Sequence, residues 1–262
     1  MSAAAKTDKT DKTDMPVLAM CAGTYREQPA TGRLARLFRR VWSHRLPEHS
    51  AGGTAVVPDG CSDLIWTGGR LMVIGPDRIA AFPALPAGET VLGLRFRPGA
   101  ALRWLDVPLS ELVGRSVPLR DVRGDVGAIE EQLADESDAG RRLARLCAWA
   151  GGEAAAAIDP QGDMEALFNR LSGGTLHDFS AGAALGERTL RRRSRDHFGY
   201  GPKTLERVLR LQRLLGLLQK PASDNLAILA YEAGYADQAH MSRDVKELTT
   251  LTPQDIRRQL SA

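Results

Sequence analysis

The chain of 262 residues holds only three cysteines, Cys21, Cys61 and Cys147, and only five histidines. The cysteines are odd in number, far apart and without a CxxC pair, which argues against a zinc knuckle or a disulfide framework and fits a reducing compartment. Cys61 sits beside a turn signature, but nothing in the sequence points to the lowered pKa and access that a redox sensor needs. Only His44 and His49 fall in the N-terminal half, in a loop-like stretch. A strand-borne metal site wants a His-x-His pair with a further His and a carboxylate, so no metal and no cofactor are expected. No apolar run approaches the roughly 20 residues that span a bilayer, and the first residues lack the apolar stretch of a secretory signal; a cytoplasmic protein without membrane contact is expected. The net charge is +3, too small for a polyanion-binding signal over the whole chain, so any nucleic-acid argument must come from local charge.

Residues 1–15 repeat Thr-Asp-Lys, alternate in charge and have nothing to bury; a disordered tail is expected. Residues 16–125 read as β-rich. Thr54-Ala55-Val56-Val57 runs into the turn signature Pro58-Asp59-Gly60. Leu64-Ile65-Trp66-Thr67 and Leu71-Met72-Val73-Ile74 flank Gly68-Gly69, a hairpin pattern. Leu92, Leu94 and Phe96 alternate with Gly93, Arg95 and Arg97, the period of a strand with one buried face, and place the arginines outward. Pro98-Gly99 stops that strand, and a short helix is expected to follow as far as Leu105. Short strands joined by Gly and Pro turns suggest a small barrel or sandwich with a central cavity. Asp59 and Asp63 lie close together, but turn capping suits them better than acid–base chemistry. Trp66, Phe82, Phe96 and Trp104 are candidates to line a ligand pocket, although core packing would explain them equally well.

Residues 126–162 form a helical connector and linker. Ile129 and Leu133, then Leu143, Leu146 and Cys147, make a helical stripe that breaks and is capped at 135–138. Gly151-Gly152 reads as its end and Asp159-Pro160-Gln161-Gly162 as a linker. These helices are expected to pack outside the β-rich domain; their stripe has no large core of its own, so it needs a partner. The β-rich domain, the DNA-binding domain and a second chain are all open to it, and a second chain is preferred, because dimers are the commonest oligomers and double the DNA contacts.

Residues 163–262 read as nearly all helix. Leu226, Leu229 and Ala230 make a short apolar face, Gly234 ends that helix, and Asp237 can cap a second helix from Gln238 to Leu248. This is a helix-turn-helix pattern. The second helix carries Gln238, His240, Ser242, Arg243 and Lys246, side chains suited to base edges and phosphates. Upstream, Leu176, Phe179, Ala183 and Leu185 suggest a first helix and turn of a twin unit. After Gly186 come five arginines within eight residues. Arg188, Arg191, Arg192 and Arg195 follow 3–4 spacing and fan along one side, while Leu190 faces inward. Between Gly186 and Leu215 nine Lys or Arg stand against three acids, a local net of +6. Between the two units, Pro202 opens a leucine-rich helix of about 17 residues, roughly 26 Å long. A rod of that length can hold two reading helices about one DNA turn apart, roughly 34 Å.

The segment resembles the DNA-binding domain of the AraC/XylS regulators. The resemblance rests on Arg188-Thr189-Leu190-Arg191-Arg192, Phe198-Gly199-Tyr200-Gly201-Pro202-Lys203-Thr204-Leu205, Arg210-Leu211-Gln212-Arg213, and the stretch Ala230 to Gln238. It continues through His240-Met241-Ser242-Arg243 and Thr249-Thr250-Leu251-Thr252-Pro253. It implies that Arg188, Arg191 and Arg192 read bases in the first unit and Gln238, Ala239 and Arg243 in the second. Thr189, Arg195, His240 and Ser242 complete the expected contact set. The first unit departs from the family at Ser180, Ala184, Gly186 and Ser194; Ser194 removes an apolar anchor and points to a unit that is softer or packed differently. The N-terminal half resembles the cupin-like sensor domains that precede this module, through Val57-Pro58-Asp59-Gly60-Cys61-Ser62-Asp63-Leu64-Ile65-Trp66, Gly75-Pro76-Asp77 and Gly93-Leu94-Arg95-Phe96-Arg97-Pro98-Gly99-Ala100.

The expected fold is therefore α+β: a β-rich cupin-like domain over 16–125, a connector over 126–162, and a double helix-turn-helix domain over 163–262. The expected function is a non-enzymatic regulator that binds double-stranded DNA, responds to a small-molecule effector, forms a homodimer and, if an activator, meets RNA polymerase. Two alternatives stand beside it: a ligand-independent dimeric regulator, and a cupin-like enzyme fused to a DNA-binding module.

Overall fold

The computed structural model describes residues 15–48, 53–124, 126–156, 162–174, 186–220 and 225–261. His49, nearly all of the expected tail and linker, and the first helix of the first helix-turn-helix unit, with Ser180 and Ala184, lie outside those residues.

The N-terminal half is built on one antiparallel sheet. Its strands are β2 (Thr24–Pro29), β3 (Phe38–Arg45), β5 (Asp63–Thr67), β6 (Arg70–Ile74), β7 (Thr90–Phe96) and β8 (Ser116–Pro118), in the order β2-β3-β7-β5-β6-β8. Two short strands, β1 (Val17–Leu18) and β4 (Thr54–Ala55), pair in parallel beside it. Gly68-Gly69 closes the β5–β6 hairpin as expected, with Thr67 opposite Arg70. The expected strand at 54–57 shortens to Thr54–Ala55, extended by a bridge from Val56 to Ala81. Among the described residues β2 and β8 do not pair with each other, so the sheet is open and does not close into a barrel.

The period of two along β7 works as read. Leu92, Leu94 and Phe96 face a core with Phe38, Val41, Leu64, Trp66, Leu71 and Val73. Helices α1 (Ala101–Leu105), α3 (Gly127–Ala134) and α4 (Ala139–Ala156) cover that face through Trp104, Leu105, Ile129, Leu133, Leu146, Ala150 and Ala154. Of the partners open to it, the helical stripe takes the sheet of its own chain rather than the preferred second chain, with Leu143 and Cys147 packed partly buried at its margin. The break at 135–138 forms as expected, and the Asp138 carboxylate accepts from the backbone of Arg141 at 2.8 Å. Gly151-Gly152 does not end the helix. A mid-helix glycine costs about 1 kcal/mol relative to alanine, and the helix runs through both, with Ala150 and Ala154 on either side buried against the sheet core.

The other face of the sheet carries the arginines, as the alternation places them. Arg95 lies there between Asp59 at 3.0 Å and Asp63 at 3.4 Å, each of these side chains a quarter exposed or less. Asp63 also accepts from the Trp42 indole at 2.8 Å. Trp42 lies flat over Gly93, where a Cβ would stand 2.1 Å from its ring. Asp59 caps its own turn as expected, accepting from the Cys61 N–H at 2.9 Å. Periodicity assigns a residue to a face; it does not say whether a loop covers that face. His44, the one described histidine of this half, is buried against the Ala22 carbonyl.

The C-terminal half comprises α5 (Gly162–Gly173), α6 (Glu187–Phe198), α7 (Pro202–Leu218), α8 (Leu226–Ala233), α9 (Gln238–Thr249) and α10 (Pro253–Leu260). It lies directly against the N-terminal half. Gly60 holds φ +79°, a left-handed conformation only glycine adopts cheaply, and a Cβ there would meet Leu205 at 3.1 Å and Phe168 at 3.2 Å. Arg97 donates to both oxygens of Glu165 on α5 at 2.8 and 2.7 Å.

At this junction burial, reinforced by Asp59 and Asp63, pushes the Asp77 carboxyl up to about 6. An acid whose folded pKa lies above its unfolded value, near 3.9, adds most stability at low pH and loses that contribution as pH rises through about 6. Asp77→Asn is therefore expected to raise the thermal midpoint at pH 7.5, with the gain shrinking by pH 5. Melting curves of both chains at the two pH values check this.

Candidate nucleic-acid interface

Helix α7 is the frame on which the interface is built. Pro202 occupies its first turn, as a missing N–H permits, and the chain enters from extended Gly201. Leu205, Val208 and Leu209 enter one core with α5, Leu190, Phe198 and Tyr200. Leu211, Leu214, Leu215 and Leu218 enter another with α8, α9 and α10. One rod thus carries the cores of both units.

In the first unit, α6 turns Leu190, Ser194, His197 and Phe198 inward. Arg188, Arg191, Arg192 and Arg195 are exposed, the four that the spacing placed on one side, and Thr189 is half-buried. Arg191 makes only an exposed ion pair with Glu187 one turn back, at 3.2 Å; such pairs contribute little and leave the guanidinium free to exchange partners. Arg193 is different: it turns away and forms a bidentate pair with Asp163 on α5. At Ser194 the unit is packed differently, through a hydrogen bond in place of an apolar anchor. The Ser194 hydroxyl donates to the Tyr200 carbonyl at 2.7 Å in a fully buried site, tying α6 to the turn before α7.

In the second unit, Asn225 caps α8 by accepting from the Ala227 N–H at 2.9 Å, and Gly234 at φ +89° turns the chain left-handed after it. Asp237 accepts from the His240 N–H at 2.6 Å and starts α9. Met241, Val245 and Leu248 face inward. Gln238, Ala239 and Arg243 are exposed; Ser242 is half-buried and its hydroxyl is spent on the Gln238 carbonyl at 2.8 Å. His240 is half-buried with its ring edge-on to Tyr235 at 5.4 Å, a geometry suited to supporting the turn. Both helices thus present a polar face beginning at their N-terminal turns, where a groove-entering helix meets base edges.

The local excess of positive charge divides once the contacts are seen. Arg207 pairs with Asp244 and with Glu247 at 2.6 Å. Arg210 stacks over Tyr235 at 5.3 Å, and Arg213 donates to the carbonyls of Leu171, at 2.5 Å, and Ala233, at 3.1 Å. With Arg193 these hold the fold together. Arg188, Arg191, Arg192, Arg195 and Lys203 are the exposed remainder.

Residues 179–259 match the family model described as a helix-turn-helix domain. The C-terminal domain is an AraC-type helix-turn-helix domain. A second family model, a domain of unknown function (DUF6597), matches residues 26–118, from within β2 to the end of β8. No curated protein matches the chain. Among solved structures, the chain is similar to a probable AraC family transcriptional regulator from Rhodopseudomonas palustris CGA009, at 18% identity and a TM-score of 0.32, over 36% of this chain and 93% of that one. It is also similar to ToxT from Vibrio cholerae O395, at 10% identity and a TM-score of 0.46, over 91% of this chain and 98% of that one.

The aromatic residues weighed as ligand contacts do not form a pocket. Trp66, Phe96 and Trp104 are almost fully buried in the sheet core, and Phe82 is about half exposed on a loop. A groove of about 620 Å³ lies instead between α4 and the β2–β3 connection, with Arg33, Leu34, Val41, Leu143, Ala144 and Cys147 among its walls. Sequence reasoning missed it because it forms between segments a hundred residues apart. Burial pushes the Cys147 thiol up to about 11. Burial, with Asp59 beside it, holds the Cys61 thiol well above its ordinary range. Neither suits a sensor thiolate.

In the AraC-type domain, Arg192→Ala and Arg243→Ala are each expected to cost roughly 1–3 kcal/mol of specific DNA binding and to relax specificity at one base position. The two positions should lie about one helical turn apart. Binding isotherms on a panel of single-base operator variants test this; uniform weakening on all sequences would make both arginines phosphate contacts.

Proposed function

We propose that the chain is a sequence-specific transcription regulator whose single subunit reads two consecutive major-groove faces. Arg188, Thr189, Arg191, Arg192 and Arg195 read or grip with α6; Gln238, Ala239, His240, Ser242 and Arg243 do so with α9. The observation that carries the reading is that two helices, rooted in the two halves of one rod, both keep their polar faces exposed. Because the stripe of α3 and α4 is consumed within the chain, one subunit is taken as the reading unit; a homodimer would add contacts without being needed for two.

The N-terminal domain is proposed to answer to a small-molecule effector in the groove beside α4. Its volume is in the range of small-molecule sites, and its floor of Leu34, Val41 and Leu143 meets Arg33 at the rim. Arg97 supplies the link to the readers. It donates to the Ala35 carbonyl at 3.1 Å, next to the groove wall, and to Glu165 on α5. An effector that binds the folded chain alone raises its melting point by mass action. Fractionated metabolite pools are expected to contain one that does so for the natural chain and not for Ala144→Trp, which fills the groove.

DNA binding by the full chain is expected to weaken steeply with salt, as several phosphate counterions are displaced. Isotherms between about 50 and 200 mM salt, with sedimentation of the complex, test this. One chain per duplex is expected. A salt-independent affinity would sink the DNA reading, and two chains per duplex would restore the homodimer.

A further inference from the structure

We infer that the N-terminal domain is a splint for the two reading helices: it grips both units at once and sets the spacing and angle at which α6 and α9 meet a duplex. The inference rests on the reading of α6 and α9 as the DNA-contacting helices.

Each reading helix is fastened to the N-terminal domain at its C-terminal end. On α6, the buried His197 ring makes a hydrogen bond through Nδ1 to the Gly99 carbonyl at 2.9 Å. On α9, the Leu248 carbonyl accepts from the Ala80 N–H at 2.7 Å. These two anchor points come from loops of one domain, on either side of strand β7. Neither touches the N-terminal turns of the reading helices, where Arg188, Arg191, Gln238 and Ala239 stay exposed with the domain docked. The contact therefore holds the readers without hiding them.

Further contacts make the grip rigid on both sides. Toward the first unit, Gly60 lies on Leu205 and Phe168, a Cβ on Gly99 would be 3.0 Å from Met164, and a Cβ on Gly199 would run into Val113 and Pro76. Close backbone approach of this kind leaves no room for sliding. Toward the second unit, Leu18 is 1% exposed inside the core shared with α7, α8, α9 and α10. Its N–H donates to Gln259 Oε1 at 2.8 Å, and Gln259 Nε2 donates back to the Pro16 carbonyl at 2.9 Å. On the rod between them, Gln212 Nε2 donates to the Pro58 carbonyl at 2.7 Å. The domain thus contacts unit one, the rod and unit two along one continuous face. A rod alone fixes a distance; a second rigid body bonded to both reading helices also fixes their rotation about it.

The test uses the full chain and a random-sequence duplex library. The natural chain is expected to enrich two conserved blocks at a single separation. Glu165→Arg, which sets two cations against each other at the junction, and Leu18→Asp, which drives a charge into the shared core, are the opened forms; small-angle scattering reads the opening. These are expected to enrich the same blocks at several separations. Their affinity for the natural chain's two-block site should fall roughly tenfold, since the geometry is no longer preorganised. Affinity for a duplex with one block should stay unchanged. Arg97→Glu added to Glu165→Arg reverses the ion pair and is expected to restore the single separation. An opened form that still selects both blocks at the one separation, with undiminished affinity, would overturn the splint. Failure of the natural chain to enrich any sequence would instead overturn the DNA reading beneath it.

Discussion

The leucines of α7 are the interaction on which both units depend. Leu205, Val208 and Leu209 belong to one core and Leu211, Leu214, Leu215 and Leu218 to the next, and all seven are almost fully buried. Burying a leucine stabilises by about 1.5–3 kcal/mol relative to leaving it exposed. A helix with such a load on most of its circumference cannot shift to suit one unit without disturbing the other. Leu18 and Gly60 of the N-terminal domain press on the same set of side chains, so domain docking and reader packing share their contacts.

Arginine does two unrelated jobs in this chain, and the contacts separate them. Arg193 and Arg207 meet carboxylates, and Arg213 satisfies carbonyls at the ends of α5 and α8. Removing such a partner leaves a buried acceptor or charge unpaired, which is where the large costs lie. Asp244, opposite Arg207, is only 6% exposed. The arginines on the open face of α6 have water or a weak i,i+4 pair as their alternative, so a phosphate or a guanine edge can displace that partner at little cost.

What the sequence made legible follows the same division. The 3–4 spacing at 188, 191, 192 and 195 picked out the exposed face of α6, and the cap at Asp237 with the stop at Gly234 marked the second unit, because those signals act within a single turn of helix. The alternation in β7 marked its core face. Three readings stopped short for one reason: a local pattern does not say what lies across from it. Arg95 stands on the outward face, opposite Leu92 and Leu94, as read, but the alternation gave no sign that Asp59 and Asp63 cover it. The stripe of α3 and α4 lacked a partner until the sheet was built beneath it. The local charge of +6 counted Arg193, Arg207, Arg210 and Arg213, each of which is held by residues far away in the chain.

The motifs that carried the N-terminal resemblance acquire a physical reason at the junction. Asp59-Gly60-Cys61 could have been a turn like any other, yet Gly60 must be both left-handed and without a Cβ, since a side chain would enter the space of Leu205 and Phe168. Pro98-Gly99 ends β7, and its glycine meets Met164 while its carbonyl holds His197. Gly75-Pro76 presses on Leu112 on one side and on Gly199 of the first reader on the other. Each motif is small where another part of the chain arrives: Leu205 and Phe168 at Gly60, Met164 at Gly99 and the Leu112 carbonyl at Gly75. The neighbours of Gly60 and Gly99 belong to the DNA-binding domain. At Gly99 two demands coincide: the left-handed backbone that stops β7 already disfavours alanine or serine, and the 3.0 Å approach to Met164 sharpens that demand where the sheet seats the second domain.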